Sequence, residues 1–338
     1  MSEDPGQRPV RVLSIDGGGI RGLIPAIVLA ELEERSGTPA ARLFDLVVGT
    51  SIGGILALGL TRPGRAGAPF YSAERLVHLL EEHGPTIFSL SLWERLERAG
   101  GLLDERYSAR PLERVLERFF GEARLREATT DLVIPSYEIE LPSPWFFRSR
   151  QARVDPEYDF PMRDVARAAS AAPTYFEPHK LTTDDVMRYY ALVDGGVFAN
   201  NPTLCGYVEA RTLYPGRGDF LVVSLGTGQR TRSLPYARAK NWGLVGWAKP
   251  ILDVVFHGVS ETVDYQMRVL CGAGAAGSPS YHRFQVALEQ ASNSLDDASP
   301  QNIRALKLEA RRLIDRDSRR LDEVCRALTA GVRDEPPR

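Results

Sequence analysis

Lysine is scarce in this sequence: of 42 basic residues, all but Lys180, Lys240, Lys249 and Lys307 are arginine. With 44 acidic residues the net charge is −2. Neither sign dominates, so a nucleic-acid or polyanion partner is not expected. The arginine bias reads as composition before it reads as attraction to a lipid surface. Cysteine is sparse too. Cys205, Cys271 and Cys325 are odd in number, far apart and in no C-x-x-C pair. That excludes a disulfide framework or a structural zinc site and fits reduced thiols in the cytoplasm. Long apolar runs are missing as well. The longest uncharged stretch, Leu46 to Leu60, is shorter than a bilayer span and carries four glycines, so no transmembrane helix is expected. The opening residues MSEDPGQRPVR contain acids and a proline and no apolar core, unlike a secretory leader. The expected location is cytoplasmic, with peripheral contact at a membrane surface as the extension of that reading. Internal repeats and low-complexity linkers are also absent.

What is present is a chain of 338 residues, 43% hydrophobic and 25% charged, long enough for a sizeable core. We expect disordered ends at 1–8 and 331–338 around a single domain at 9–330. Short apolar runs alternate with longer helical ones. Val10–Ile15 reads as a strand, followed by a helix over Leu23–Arg35 with Pro25 in its first turn. Phe44–Val48 is a second strand and Ile52–Leu60 a second helix. Ser72–His83 and Tyr107–Phe120 have amphipathic helical spacing. Leu132–Ile139 and Trp145–Arg148 read as paired strands, and Phe220–Leu225 as another ending at Gly226-Thr227-Gly228. Helical patterns occupy 244–270 and 303–330. Strands alternating with helices predict a three-layer α/β/α fold around a mostly parallel sheet, with sites outside the carboxyl ends of the strands.

Three motifs sit at such ends. Asp16-Gly17-Gly18-Gly19-Ile20-Arg21-Gly22 follows the first strand. Its glycines expose backbone N–H groups at a helix start, able to hold a pyrophosphate or an oxyanion. A dinucleotide fold wants an acid at the end of the second strand; here that strand runs into Gly49-Thr50-Ser51-Ile52-Gly53 instead. Strand, G-x-S-x-G, then helix is the context of a nucleophile elbow, against the plainer reading of a serine N-cap. The third motif, Asp194-Gly195-Gly196, is equally a tight turn by composition.

A serine hydroxyl needs an adjacent base. His78 and His83 fall in a charged helix, His179 in a loop, His257 at the end of an apolar run and His282 in an alternating stretch. Each reads as structural rather than catalytic.

DGGGIRG, GTSIGG and the later DGG, in that order, resemble the patatin-like phospholipase family. The likeness extends to Arg167–Phe176 (RAASAAPTYF), Tyr107-Ser108, Ile134–Tyr137, Val223–Gly228 and Tyr281–Gln285, and so covers about residues 8 to 315. It departs slightly in having DGG where many relatives carry DGA. The resemblance implies a Ser–Asp dyad without histidine: Ser51 as nucleophile, Asp194 as proton acceptor, and the amides of Gly17, Gly18 and Gly19 as oxyanion hole with Arg21 fixing that loop. Asp16, Gly22, Gly49, Gly53, Gly195 and Gly196 would support these groups, with no metal and no cofactor. Because an unperturbed aspartate has a pKa near 4, Asp194 is expected to be desolvated beside Ser51.

The implied function is a lipid acyl hydrolase of phospholipase A or lipase type, acting in lipid catabolism through an acyl-enzyme. Its partner would be a lipid or membrane-surface substrate. The alternative is a phospholipase effector of bacterial anti-phage defence, with a cyclic oligonucleotide as small-molecule activator, although no nucleotide-sensing motif is recognisable. A more remote alternative is a non-catalytic nucleotide-binding module. The apolar stretch 244–256 fits a core helix broken at Pro250, an acyl groove or a bilayer-docking face. Trp93, Trp145, Phe146 and Phe147 fit core packing or interfacial anchoring. The 303–330 pattern reads as helix packed on the body.

Overall fold

The computed structural model describes residues 8–88, 107–183, 188–229, 233–247, 250–271 and 280–330. The proposed disordered ends, apart from Arg8, and Trp93 lie outside these residues. Eight strands form one sheet: β1 (Val10–Ile15), β2 (Leu46–Gly49), β3 (Asp131–Glu138), β4 (Ser143–Arg148), β5 (His179–Thr182), β6 (Tyr189–Asp194), β7 (Phe220–Leu225) and β8 (Ser280–Phe284). Their order is β5-β6-β3-β2-β1-β7-β8, with β4 also paired to β3. Strands β8, β7, β1, β2 and β3 are mutually parallel, and β4, β5 and β6 join antiparallel.

The strand sequences explain the layers. Side chains alternate across a pleated sheet, so a strand that is apolar at every position needs a core on each face. Along β1, Leu13 and Ile15 enter a large core with the helices Leu23–Ser36, Ile52–Thr61 and Pro300–Arg316, while Val10 and Val12 enter a smaller one. On that second face β1 and β2 meet the helix Thr203–Leu213, which contacts the helix Pro250–Cys271. The expected three-layer α/β/α architecture with a mostly parallel sheet is therefore present.

The differences from the sequence reading are local. β5, a short and polar edge, was not expected; β6 was implied only by placing the Asp194 motif at a strand end, without bounds, because its Asp-Gly equally resembles a hairpin turn. The 303–330 pattern is two helices, Pro300–Arg316 and Ser318–Thr329, separated at Asp317, and both bury apolar residues against the body. The 244–256 stretch falls in two helices, Leu244–Trp247 and Pro250–Cys271, and Pro250 opens the second, where a first turn tolerates proline. Phe147 is buried, Trp145 packs on Tyr190 with ring centroids 4.2 Å apart, and Phe146 packs on Phe198, so these aromatics serve internal packing. No helix among the described residues is long and apolar enough to cross a membrane.

Candidate active site

Parallel β1, β2, β7 and β8 deliver their carboxyl ends to one edge of the sheet. Asp16 follows β1, Ser51 lies two residues past β2, and Gly226 follows β7. β6 runs the other way but ends at the same level, because Asp194 pairs with Ser136, three residues beyond the Val133 that faces Val48. Ser51, Asp194, Gly18, Gly19 and Asn200 thus line one pocket. Much of the remaining wall is apolar, including Ile20, Ile55, Leu80, Phe88, Phe176 and Phe256.

Ser51 has φ 55 and ψ −124, a strained conformation for a residue with a side chain, directly before the helix Ile52–Thr61. Thr50 anchors the turn on both sides: its N–H donates to the Ile15 carbonyl at 3.1 Å and its hydroxyl to the Ala199 carbonyl at 2.6 Å. Position 53 must be glycine, since a Cβ there would lie 2.3 Å from the Ile15 carbonyl oxygen.

Asp194 is 1% exposed. Burial pushes its carboxyl up to about 6; the Ser51 hydroxyl and the Gly196 N–H, which bonds Oδ1 at 2.7 Å, face the carboxylate and oppose that rise. None of the five histidines lines the pocket. His83 packs edge-on to Phe119, and burial with nearby Arg167 lowers His179 to about 4.

The glycine loop is oriented peptide by peptide. In a trans peptide the C=O and N–H point in opposite directions. The Thr227 hydroxyl donates to the Gly17 carbonyl at 2.7 Å, which turns the Gly18 N–H the other way. Arg21 holds the Gly18 carbonyl through its backbone N–H at 3.2 Å and its Nε at 3.3 Å, which turns the Gly19 N–H likewise. The Gly17 N–H is different: it donates to the Asn200 carbonyl at 2.9 Å, and Gly17 does not line the pocket. Of the three expected amide donors, Gly17 is therefore withdrawn, which leaves the Gly18 and Gly19 amides as the candidates. Gly19 has φ +58, and the Ile20 N–H next to it donates to the Leu295 carbonyl at 2.9 Å.

Beneath the loop, Asp16 receives two hydrogen bonds from Arg283, and Arg283 also donates to the Ser224 hydroxyl at 2.9 Å. Gly22, Gly49 and Gly195 pack closely on neighbouring elements. The sequence assigned no role to Asn200, Thr227, Arg283 or Leu295, whereas Phe256 belongs to the 244–256 stretch for which an acyl groove was one reading, and it lines the pocket. Thr227 and Arg283 do fall in the segments VSLGTG and YHRFQ that carried the family likeness, which was the available signal. Among the described residues no group of three or more His, Cys, Asp or Glu could hold a metal ion.

A family model described as patatin-like phospholipase matches residues 13–204. The chain is 33% identical to Patatin-like protein 4 of Arabidopsis thaliana, covering 93% of this chain and 85% of that protein. It is 35% identical to Patatin-like protein 2 of Oryza sativa subsp. indica with the same two coverages, 93% and 85%. Against Patatin-04/09 of Solanum tuberosum it is 33% identical, covering 88% of this chain and 81% of that protein. With a matching family model, relatives along most of its length and its serine and aspartate in one pocket, this chain belongs to the patatin-like phospholipase family.

Proposed function

We propose that this protein is a lipid acyl hydrolase that cleaves carboxylic esters through a Ser51–Asp194 dyad and an acyl-enzyme. The observation that carries the reading is Asp194: a buried carboxyl, pushed up to about 6, facing the Ser51 hydroxyl in an apolar pocket with no histidine in its wall. A carboxylate of that pKa is ionised at neutral pH yet basic enough to share the serine proton in the transition state.

In the first step the Ser51 Oγ attacks the ester carbonyl while Asp194 takes its proton. Charge developing on the carbonyl oxygen is stabilised by the Gly18 and Gly19 amides, which are held in place before substrate arrives. Collapse expels the alcohol, protonated by Asp194, and leaves the acyl group on Ser51. Water then repeats the sequence and releases the fatty acid. The apolar wall fits an acyl chain, so the substrate partner is a lipid, presented at a membrane or aggregate surface. These steps use no cofactor.

The test compares wild type, Ser51→Ala and Asp194→Asn on phospholipid and glyceride vesicles. Both variants should lose at least ~10³-fold in kcat/KM. Near-normal hydrolysis by Asp194→Asn would sink the dyad. Parallel reactions with cyclic oligonucleotides test the defence-effector alternative, in which turnover would appear only in their presence.

A further inference from the structure

Asn200 is a pocket residue to which the two-residue dyad gives no task. Its side-chain amide has a fixed orientation. The Ser260 hydroxyl donates to the Phe256 carbonyl at 2.9 Å, so the Ser260 oxygen is left to accept, and it does so from Asn200 Nδ2 at 2.9 Å. Nδ2 is thereby directed at the helix Pro250–Cys271, and Oδ1 points back toward the loops of the site. A Cβ built at Gly196 would lie 3.1 Å from Asp194 Oδ1, 3.3 Å from Asn200 Oδ1 and 3.3 Å from Phe256 Cε1, so the two oxygens approach the same side of Gly196. A Cβ built at Gly17 would lie 2.5 Å from Asn200 Oδ1 and 3.3 Å from the Ser51 Cβ, which brings the same acceptor beside the nucleophile.

We propose that Asn200 is a further catalytic residue, whose Oδ1 accepts a hydrogen bond from the water that deacylates Ser51. The inference rests on the acyl-enzyme reading above. Water has two O–H bonds. Asp194 takes the proton of one as the water oxygen bonds to the acyl carbon, and Asn200 Oδ1 holds the other. The tetrahedral oxyanion then collapses, the carbon–Oγ bond breaks, and the proton on Asp194 passes to Ser51 Oγ as the acid leaves. During acylation the proton comes from Ser51 itself, so Asn200 has nothing to accept. Its loss therefore falls on one half of the reaction.

An alcohol nucleophile separates this role from a structural one. Methanol has a single O–H, which Asp194 needs, and a methyl group where water offers its second hydrogen. The experiment measures fatty acid and methyl ester released from one ester substrate in water with added methanol. In wild type, methyl ester formation reports the acyl-enzyme. Asn200→Ala should slow hydrolysis about tenfold and raise the ratio of methyl ester to acid by a similar factor. Ser260→Ala, which frees the amide to flip, should move the ratio the same way by less, and it decides the matter if Asn200→Ala does not fold. A ratio unchanged in the folded variants, with both products slowed together, would mean that Asn200 only props the glycine loop and would overturn the proposal. Complete absence of methyl ester from wild type would instead remove the acyl-enzyme reading and this inference with it.

Discussion

Asp16 and Arg283, at opposite ends of the chain, form a buried bidentate ion pair, with Arg283 Nη1 2.8 Å from Asp16 Oδ1 and Nη2 2.5 Å from Oδ2. The pair ties the end of β1, where the glycine loop begins, to β8. Arg283 is 6% exposed and Asp16 2%, so removing one partner strands a charge without water. Arg283→Met should cost about 3–5 kcal/mol in chemical denaturation. The double variant Asp16→Leu/Arg283→Met should recover part of that stability. Its activity should stay low, because the first residue of the loop has lost its anchor. Wild-type activity in the double variant would show that the loop holds its shape without the pair.

Asp194 makes opposite demands on stability and activity. Its folded pKa lies above the value near 4 expected when unfolded. The native state therefore binds the proton more tightly, a contribution fully present below about pH 4 and lost as pH rises through about 6. The proposed dyad needs the ionised form, so kcat/KM should climb with pH through about 6. Asp194→Asn should be inactive yet more stable than wild type at pH 8, by roughly 2–3 kcal/mol, with the difference shrinking toward pH 4. Denaturation at the two pH values checks the sign; a variant less stable at pH 8 than at pH 4, relative to wild type, contradicts it.

Gly19→Ala should be severe. The position has φ +58, and an added Cβ would meet the Leu295 carbonyl oxygen at 2.0 Å. Left-handed backbone alone costs about 1–2 kcal/mol with a side chain, and the clash must be relieved by moving a loop that holds the donor amides. We expect loss of at least ~10²-fold in kcat and a lowered melting temperature. Full activity in Gly19→Ala would remove this amide from the oxyanion site.

Gly84 lies in the helix Ala73–Ile87 and lines the pocket; a Cβ there would approach Ile20 Cδ1 to 2.5 Å. Gly84→Val should narrow the space for an acyl chain. A series of p-nitrophenyl esters from four to sixteen carbons should shift toward the short members, with the shortest substrate affected about threefold or less. A uniform drop at every length would place the acyl chain elsewhere.

Much was legible without coordinates because the informative residues are local in the chain. Apolar runs at β1, β2 and β7, each ending in a glycine-rich turn, specify strands whose carboxyl ends carry loops. The G-x-S-x-G segment specifies an elbow wherever it follows a strand. β6 was less legible: its Tyr-Tyr-Ala-Leu-Val-Asp sequence leads into Asp-Gly, and nothing nearby distinguishes a strand end from a hairpin turn. The packing of the Leu244–Phe256 stretch was equally open, since apolar composition does not say which side faces a pocket; Phe256 turns inward while Ile251 and Val254 remain exposed.

The sequence by itself determined the three motifs, their order and the alternation that places them at strand ends. The tertiary structure alone decided which amides are free, because Gly17 loses its N–H to Asn200, a residue far along the chain. It also decided that Asp194 is buried beside Ser51 instead of lying in an exposed turn, and exclusion of water is what raises its carboxyl. Burial and hydrogen-bond partnership are properties of what surrounds a group, and those neighbours are assembled only when distant segments fold together.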